Sequence, residues 1–356
     1  MTAPGAAPAG ALVREVPYRR IATEEAFATR ELLDGFRKLL AGRTLDDPGF
    51  HNLWGFYLGS TSPRAVQVIE RLQQLGQARI ADMDECGIAQ QILALTSPGV
   101  QVFDAQTAHS LAVDANDQLA EAVRKHPSRY AGLVAVAPQD PTHAAKEIER
   151  GISRLGLKGV IINSHTHHTY LDEPRFWDIF AAAEACDAPI YLHPNTPSKD
   201  LIGPLMARGL EGAVFGFGVE TALHTLRIIV SGVFDRFPKL KLVLGHCGEA
   251  LPFWLYRLDY MHGAMVRANR YESVKPLKKP LSDYLRHNVY VTTSGMAWEP
   301  AIMFCHNVLG ADHVMYAMDY PYQVVAAEVA ASDDLPLTAA DKQAFFQTNA
   351  ERLFKL

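Results

Sequence analysis

The chain has 356 residues, 34 Lys plus Arg against 39 Asp plus Glu, a formal net charge of −5 and 48% hydrophobic residues. This slightly acidic balance, with no Lys/Arg-rich run, argues against a nucleic-acid binder, and no stretch nears the ~18 consecutive apolar residues of a membrane-spanning helix. The four cysteines, Cys86, Cys186, Cys247 and Cys305, are scattered without a CxxC pair, so they read as reduced thiols of a cytoplasmic protein rather than a disulfide framework or zinc ribbon.

In chain order, residues 1–17 (MTAPGAAPAGALVREVP) are biased to Ala, Pro and Gly and lack both a basic start and an apolar core, which predicts a flexible tail through residue 18 and no signal peptide. Residues 19–356 then read as one domain with no internal repeat or linker. Eight β-rich runs follow: Arg20–Ala26, Ile88–Leu95, Tyr130–Ala137, Leu157–Asn163, Pro189–His193, Leu240–His246, Val289–Ser294 and Val314–Asp319. Most are continuous apolar stretches such as LVAVAP and PIYLHP, the pattern of strands covered on both faces of a parallel sheet. Helical spacing lies between them. Val66, Ile69 and Leu72 share a face in a helix expected to run on to Met83 and stop at Gly87; Leu111, Ala115, Leu119 and Ala122 mark a second helix, and Phe176, Ile179, Ala182 and Ala183 another. Eight strand–helix alternations predict a (β/α)8 TIM-type barrel, with sites at the carboxyl ends of the strands. The alternative, a doubly wound open sheet, has no GxGxxG after any strand to point to a dinucleotide. Two long stretches, residues 30–63 with LWGFYLG and residues 195–220 ending in VFGFGVE, read as insertions at the C-terminal face of the barrel, where lids, pockets and subunit contacts are built.

Polar residues at the strand ends carry the chemistry. The first strand ends in Glu24 and Glu25, the fifth in His193, the sixth in His246 and Glu249, and the eighth in Asp319. A Glu, a His and an Asp from three strands can converge on one divalent cation with open positions, and burying two carboxylates without a cation is costly. Adjacent Glu24 and Glu25 face opposite sides of a strand, so one of them is a ligand and spacing does not choose between them. His165, His167 and His168 (NSHTHH) resemble a metal tract, or equally a surface coincidence. His246 and Glu249 form an H-x-x-E step in which the carboxylate orients the imidazole as a base or positioning group, or makes a structural hydrogen bond. Arg257, eight residues further on, reaches a substrate carboxylate or pairs with Asp259.

The motifs RIATEEAFATRE, TSPGVQ, VAPQDP, INSHT with YLDE, YLHP, FGFGVET, GHCGEALPFWLYRLDYMH, TTSG with AWEP and MYAMDYPYQ occur in this order over residues 19–356. Together they resemble the metal-dependent aromatic acid decarboxylases of the amidohydrolase superfamily, and within them the subgroup acting on 5-carboxyvanillate, a lignin-derived aromatic acid. The resemblance implies Glu24, His193 and Asp319 as metal ligands, choosing Glu24 over Glu25. Wider relatives have EEH where this chain has Ala26 at the third position; with one imidazole fewer, manganese is expected rather than zinc. It further implies Thr96, His246, Arg257 and Tyr322 as substrate-binding residues and Phe217 near the ring. Arg64 is expected to reach in from a neighbouring subunit, hence a homodimer or homotetramer. The expected chemistry is non-oxidative decarboxylation with Asp319 as proton donor and His246 and Glu249 as relay. A decarboxylase of other dihydroxybenzoates, a lactone or amide hydrolase, or a non-catalytic relative without a bound metal are the alternatives.

Overall fold

Short apolar runs become parallel strands here because one face of each meets the barrel interior and the other a covering helix. The computed structural model describes residues 14–356, so residues 1–13 of the expected tail lie outside the described residues. The strands are β1 (Ile21–Phe27), β2 (Gln90–Leu95), β3 (Tyr130–Gly132), β4 (Val134–Ala135), β5 (Val160–Asn163), β6 (Ile190–His193), β7 (Leu242–Leu244), β8 (Val289–Thr292) and β9 (Val314–Met315), and every pairing is parallel. β3 and β4 are two halves of one strand, broken where Leu133 N–H bonds back to Leu93 O (2.8 Å) while Val134 N–H bonds forward to Gly159 O (2.7 Å). Spatial order equals chain order in both sheet segments. Thr23 N–H donates to Tyr316 O at 3.1 Å and Ala26 N–H to Tyr320 O at 2.6 Å, tying the first strand to the last. This is the expected (β/α)8 barrel, and each of the eight predicted runs contains an observed strand.

The last three strands stop earlier than the predicted runs do. His246, Ser294 and Asp319 lie beyond the last paired residues of β7, β8 and β9. His246 (φ 51°) and Asp319 (φ 72°) turn into left-handed backbone, which non-glycine residues adopt at a cost of about 1–3 kcal/mol and which clusters at functional sites.

One helix differs from expectation. The run from Val66 to Met83 is two helices, Pro63–Leu72 and Gln77–Glu85, separated at Gly76, the N-cap of the second. The buried face of the first is Ala65, Val68 and Leu72, whereas Val66 is exposed; helical spacing with Ile69 and Leu72 did not distinguish two neighbouring stripes. The helix Ala105–Lys125 buries Ala115, Leu119 and Ala122 as expected, and Trp177–Ala185 buries Ile179, Ala182 and Ala183.

Both insertions are structured over the C-terminal face. The first folds into helices Arg30–Gly42, capped by Thr29, and Pro48–Gly59, capped by Asp47. Phe36 packs against Phe50, Trp54 and Phe103, and the Trp54 indole donates to Ser97 O at 3.2 Å. Truncating one such core ring costs about 3–5 kcal/mol. The second insertion contributes the helix Lys199–Met206 and leads into Gly216–Val230. Three contacts stitch this roof together: Asn52 donates to the Glu211 carboxylate, Lys199 Nζ pairs with Asp46 at 3.2 Å, and His168 Nε2 bonds Asp46 O at 2.7 Å. Among the described residues no helix is long and apolar enough to cross a membrane, and Cys86, Cys186, Cys247 and Cys305 are all free thiols.

Candidate active site

Glu24 sits on β1 with its side chain at the mouth of the barrel and is 4% exposed. One oxygen, Oε2, accepts three hydroxyls: Tyr191 on β6, Thr292 on β8 (3.1 Å) and Ser294 just beyond β8 (2.5 Å). The other, Oε1, is buried with no hydrogen-bond partner. It faces His193 Nε2 at 3.2 Å and His246 Nε2 at 3.7 Å. An orphaned buried carboxylate oxygen is costly, and its placement between two imidazoles is the observation that fits a divalent cation. His193 spends Nδ1 on Pro194 O at 2.8 Å, which turns its Nε2 lone pair toward Glu24 and fixes the tautomer a ligand needs. Only glycine fits at Gly245, where a Cβ would come within about 2.5 Å of Glu24 Oε2.

His246 Nδ1 bonds Glu249 Oε1 at 2.8 Å, so the H-x-x-E step is a formed dyad. The two carboxylates of the mouth titrate apart. Burial works against the charged form of Glu24, yet His246 and His193 beside it bring it down to about 2. Burial and the Glu24 charge push Asp319 up to about 7, against His246 and His193. Burial opposes the imidazolium of His246, but Glu249 and Glu24 raise it to about 10. Two carboxyl groups with separated affinities are the arrangement that divides acid from base roles. A cation would displace the proton from the imidazole that binds it.

Above this floor lies a cavity of about 650 Å³ lined by Phe217, His246, Glu249, Trp254, Met296 and Asp319 among others. Its wall is predominantly apolar, as a site for an aromatic ring requires. On the adjoining side Thr96 Oγ1 and Tyr322 OH share a hydrogen bond of 2.6 Å, and the Tyr57 ring packs edge-on against Tyr322. Arg64 donates to the Tyr322 carbonyl of its own chain at 2.9 Å. Arg64 is exposed on the helix Pro63–Leu72. Its position as the second residue of that helix puts it beside the loop after β9. Arg257 is also exposed, on the helix Leu251–Arg267, and, among the described residues, makes no ion pair or hydrogen bond. The Asp259 partner considered for it instead accepts Ser282 N–H at 2.9 Å.

The NSHTHH tract also resolves. Among the described residues, the one set of three His, Cys, Asp or Glu ligand atoms all within 4.8 Å of each other is Asp47, His165 and His168. Every ring nitrogen there is already engaged. His165 bonds Thr196 O (3.0 Å) and His168 N–H (3.3 Å), and His168 bonds Asp46 O (2.7 Å) and Lys199 N–H (3.2 Å). His165 is 2% exposed, whereas His167 is exposed and His168 half-buried, so His165 and His168 fasten the roof through main-chain groups.

Sequence reasoning passed over Tyr191, Thr292 and Ser294. Tyr191 lies two residues before His193, hence on the same strand face, and Thr292 and Ser294 bear the same relation to each other. That period-two relation was the available signal.

The family model for amidohydrolases matches residues 69–356. The chain belongs to the amidohydrolase family. The amidohydrolase is 57% identical to 5-carboxyvanillate decarboxylase of Novosphingobium aromaticivorans, solved with manganese and 4-hydroxy-3-methoxy-5-nitrobenzoic acid (TM-score 0.94, 96% of this chain and 97% of that chain). It is 43% identical to 5-carboxyvanillate decarboxylase of Sphingomonas paucimobilis (TM-score 0.89, 95% and 99%). It is also 34% identical over 352 residues to gamma-resorcylate decarboxylase of Polaromonas sp. strain JS666, covering 95% of this chain and 98% of that one.

Proposed function

We propose that this amidohydrolase is a manganese-dependent carboxy-lyase that converts 5-carboxyvanillate to vanillate and CO2, with residues 19–356 as one catalytic domain. The observation that carries the reading is the orphaned Glu24 Oε1 at a barrel mouth whose relatives of known activity are decarboxylases. The substrate follows from the 57% identity to an enzyme acting on that acid, against 34% to the gamma-resorcylate enzyme. Glu24 through Oε1, His193 through Nε2 and Asp319 would hold the ion. With Ala26 where an additional imidazole would stand, an oxygen-rich set suits manganese over zinc.

When bound, the ion supplies a fixed positive charge against which a phenolate and its ortho-carboxylate are oriented. The chain's own groups do the rest. Phe217, Met296 and Trp254 hold the ring and exclude water. Arg64, reaching in from a neighbouring subunit, binds the remote carboxylate, with Thr96 and Tyr322 as hydroxyl partners. Asp319 delivers a proton to the ring carbon that bears the departing carboxylate. Protonation precedes cleavage because the reverse order leaves an aryl carbanion with no electron sink. The C–C bond then breaks, its electron pair returns to the ring, and CO2 leaves. Glu249 holds His246 in the orientation that steadies the substrate oxygen.

Self-association belongs to the same reading. The helix Leu251–Arg267 exposes Phe253, Trp254, Tyr256 and Tyr260 beside Arg257, an aromatic face suited to a second copy of this chain, and sedimentation at micromolar concentration tests it. The free thiols suit a reducing cytoplasm.

The test is a turnover assay after manganese reconstitution, with 5-carboxyvanillate, 2,3- and 2,6-dihydroxybenzoate and an aromatic lactone in parallel. Metal-dependent release of vanillate and CO2 supports the proposal. CO2 from a dihydroxybenzoate alone moves the substrate to the gamma-resorcylate type. Lactone opening without gas moves the reaction to hydrolysis.

A further inference from the structure

The second glutamate of the TEEA motif is absent from the site just described, yet it is one of the most completely enclosed acids in the chain, at 0% exposure. Neighbouring side chains on a strand point to opposite faces, so as Glu24 turns into the mouth, Glu25 turns behind it toward the loop after β9. There Oε1 accepts Met318 N–H at 2.9 Å and Oε2 accepts Tyr320 N–H at 3.0 Å. These are the amides on either side of Asp319. The residue they bracket has φ 72°, a conformation that a side chain with a Cβ disfavours and that persists only where surrounding structure imposes it.

The clamp is itself anchored. Gln91 Nε2 approaches Glu25 Oε2 at 3.4 Å, and Gln91 Oε1 accepts Arg79 Nε at 2.6 Å. Arg79 is also fully enclosed. It donates to Ala26 O at 2.9 Å, and its guanidinium lies 4.2 Å from the centroid of the Tyr320 ring. A buried carboxylate is thus matched by a buried cation through Gln91; Glu25 grips both residues flanking Asp319 and Arg79 packs on the ring of one of them.

We propose that Glu25 is a positioning residue for Asp319: its two carboxylate oxygens pin the Met318 and Tyr320 amides and so aim the Asp319 carboxyl into the mouth. The inference rests on the reading of Asp319 as a ligand and proton donor. Glu25 touches neither metal nor substrate and acts only through that loop.

Two variants test it. Glu25→Gln keeps the shape but offers one acceptor and turns an NH2 toward the other amide. Glu25→Asp keeps the negative charge that Arg79 needs, so it guards against a folding failure, but withdraws the carboxylate so that it no longer spans both amides. Hydrogen exchange at the Met318 and Tyr320 amides is measured in the metal-free protein, and manganese affinity is measured with and without Asp319→Asn. The expected result is exchange faster by about tenfold or more at both amides, with manganese binding weaker by about tenfold in the wild-type background and by less than about twofold beside Asp319→Asn. Unchanged exchange overturns the clamp, and so does an equal loss of manganese affinity in both backgrounds. A His193→Ala control separates the two readings: if it holds manganese as tightly as the wild type, the proposed metal site falls. The exchange result alone then decides the role of Glu25.

Discussion

The chain contains two knots of imidazole and carboxylate, and they differ in a way that proximity alone misrepresents. Asp47, His165 and His168 form the tighter set, with ligand atoms all within 4.8 Å. Glu24, His193, His246 and Asp319 are more widely gathered, from four different strand ends. In the tight set each ring nitrogen already has a main-chain partner. In the wide set Glu24 Oε1 has none, although three hydroxyls crowd its twin oxygen. A cation is drawn to unsatisfied lone pairs, so we propose the wide set as the metal site and read the tight set as carpentry.

The comparison breaks most decisively at Glu24 and His193. Glu24→Gln or His193→Ala is expected to leave the purified protein without stoichiometric manganese and to lower kcat/KM by about 10³-fold or more, as read by elemental analysis and the turnover assay. Retention of metal in both would transfer the site to the roof. Asp319→Asn is expected to remove turnover by about 10²–10⁴-fold, the range of a lost general acid, even in protein shown to be manganese-loaded. Substantial activity in that loaded variant would sink the donor role.

A smaller effect concerns pH in chelator-stripped protein. Asp319 rises from 3.8 to about 7 and His246 from 6.5 to about 10. The folded state therefore holds more protons than the unfolded state between roughly pH 4 and pH 10, so stability falls as pH rises through that window. Glu24, lowered from 4.5 to about 2, acts the other way only below pH 4.5. A melting temperature that drops by several degrees from pH 5 to pH 9, and much less with manganese bound, is expected from calorimetry. A flat metal-free profile would show that these charges are not confined together.

Tyr191→Phe and Ser294→Ala each remove one hydroxyl from Glu24 Oε2. Each is expected to weaken manganese binding by about 10–100-fold, the usual cost of losing an outer-shell partner of a ligand, in a chelator-competition titration. At the small end, His168→Ala is expected to cost about 1–2 kcal/mol of stability and leave metal content unchanged. Loss of the metal in that variant would reverse the assignment of the two knots.

How far these features were legible in the residues follows from what kind of signal each one leaves. Eight apolar runs announce eight strands because burial on both faces demands them; His193 and Asp319 stood out as candidates because they terminate such runs, whereas only the family resemblance chose Glu24 over Glu25. The break between Leu72 and Gln77 was invisible, since both helices carry apolar residues at compatible spacing. The hydrogen bond from Arg64 to Tyr322 O depends on how the helix Pro63–Leu72 leans against the loop after β9, a tertiary angle with no periodicity to betray it. Glu25 was set aside as the loser of a choice between two adjacent acids. Its use appears only when the loop carrying Asp319 is seen to close over its other side.

The stitched roof has a consequence for anyone wishing to rebuild this pocket. Asn52 with Glu211, and Asp46 with Lys199 and His168, bind the two insertions and the loop after β5 at their polar groups. Grafting the first insertion from another barrel would leave the buried Glu211 carboxylate without its Asn52 partner and would remove the Asp46 contacts to Lys199 and His168. The loops are therefore a single module for inheritance and for engineering, to be exchanged together or left in place.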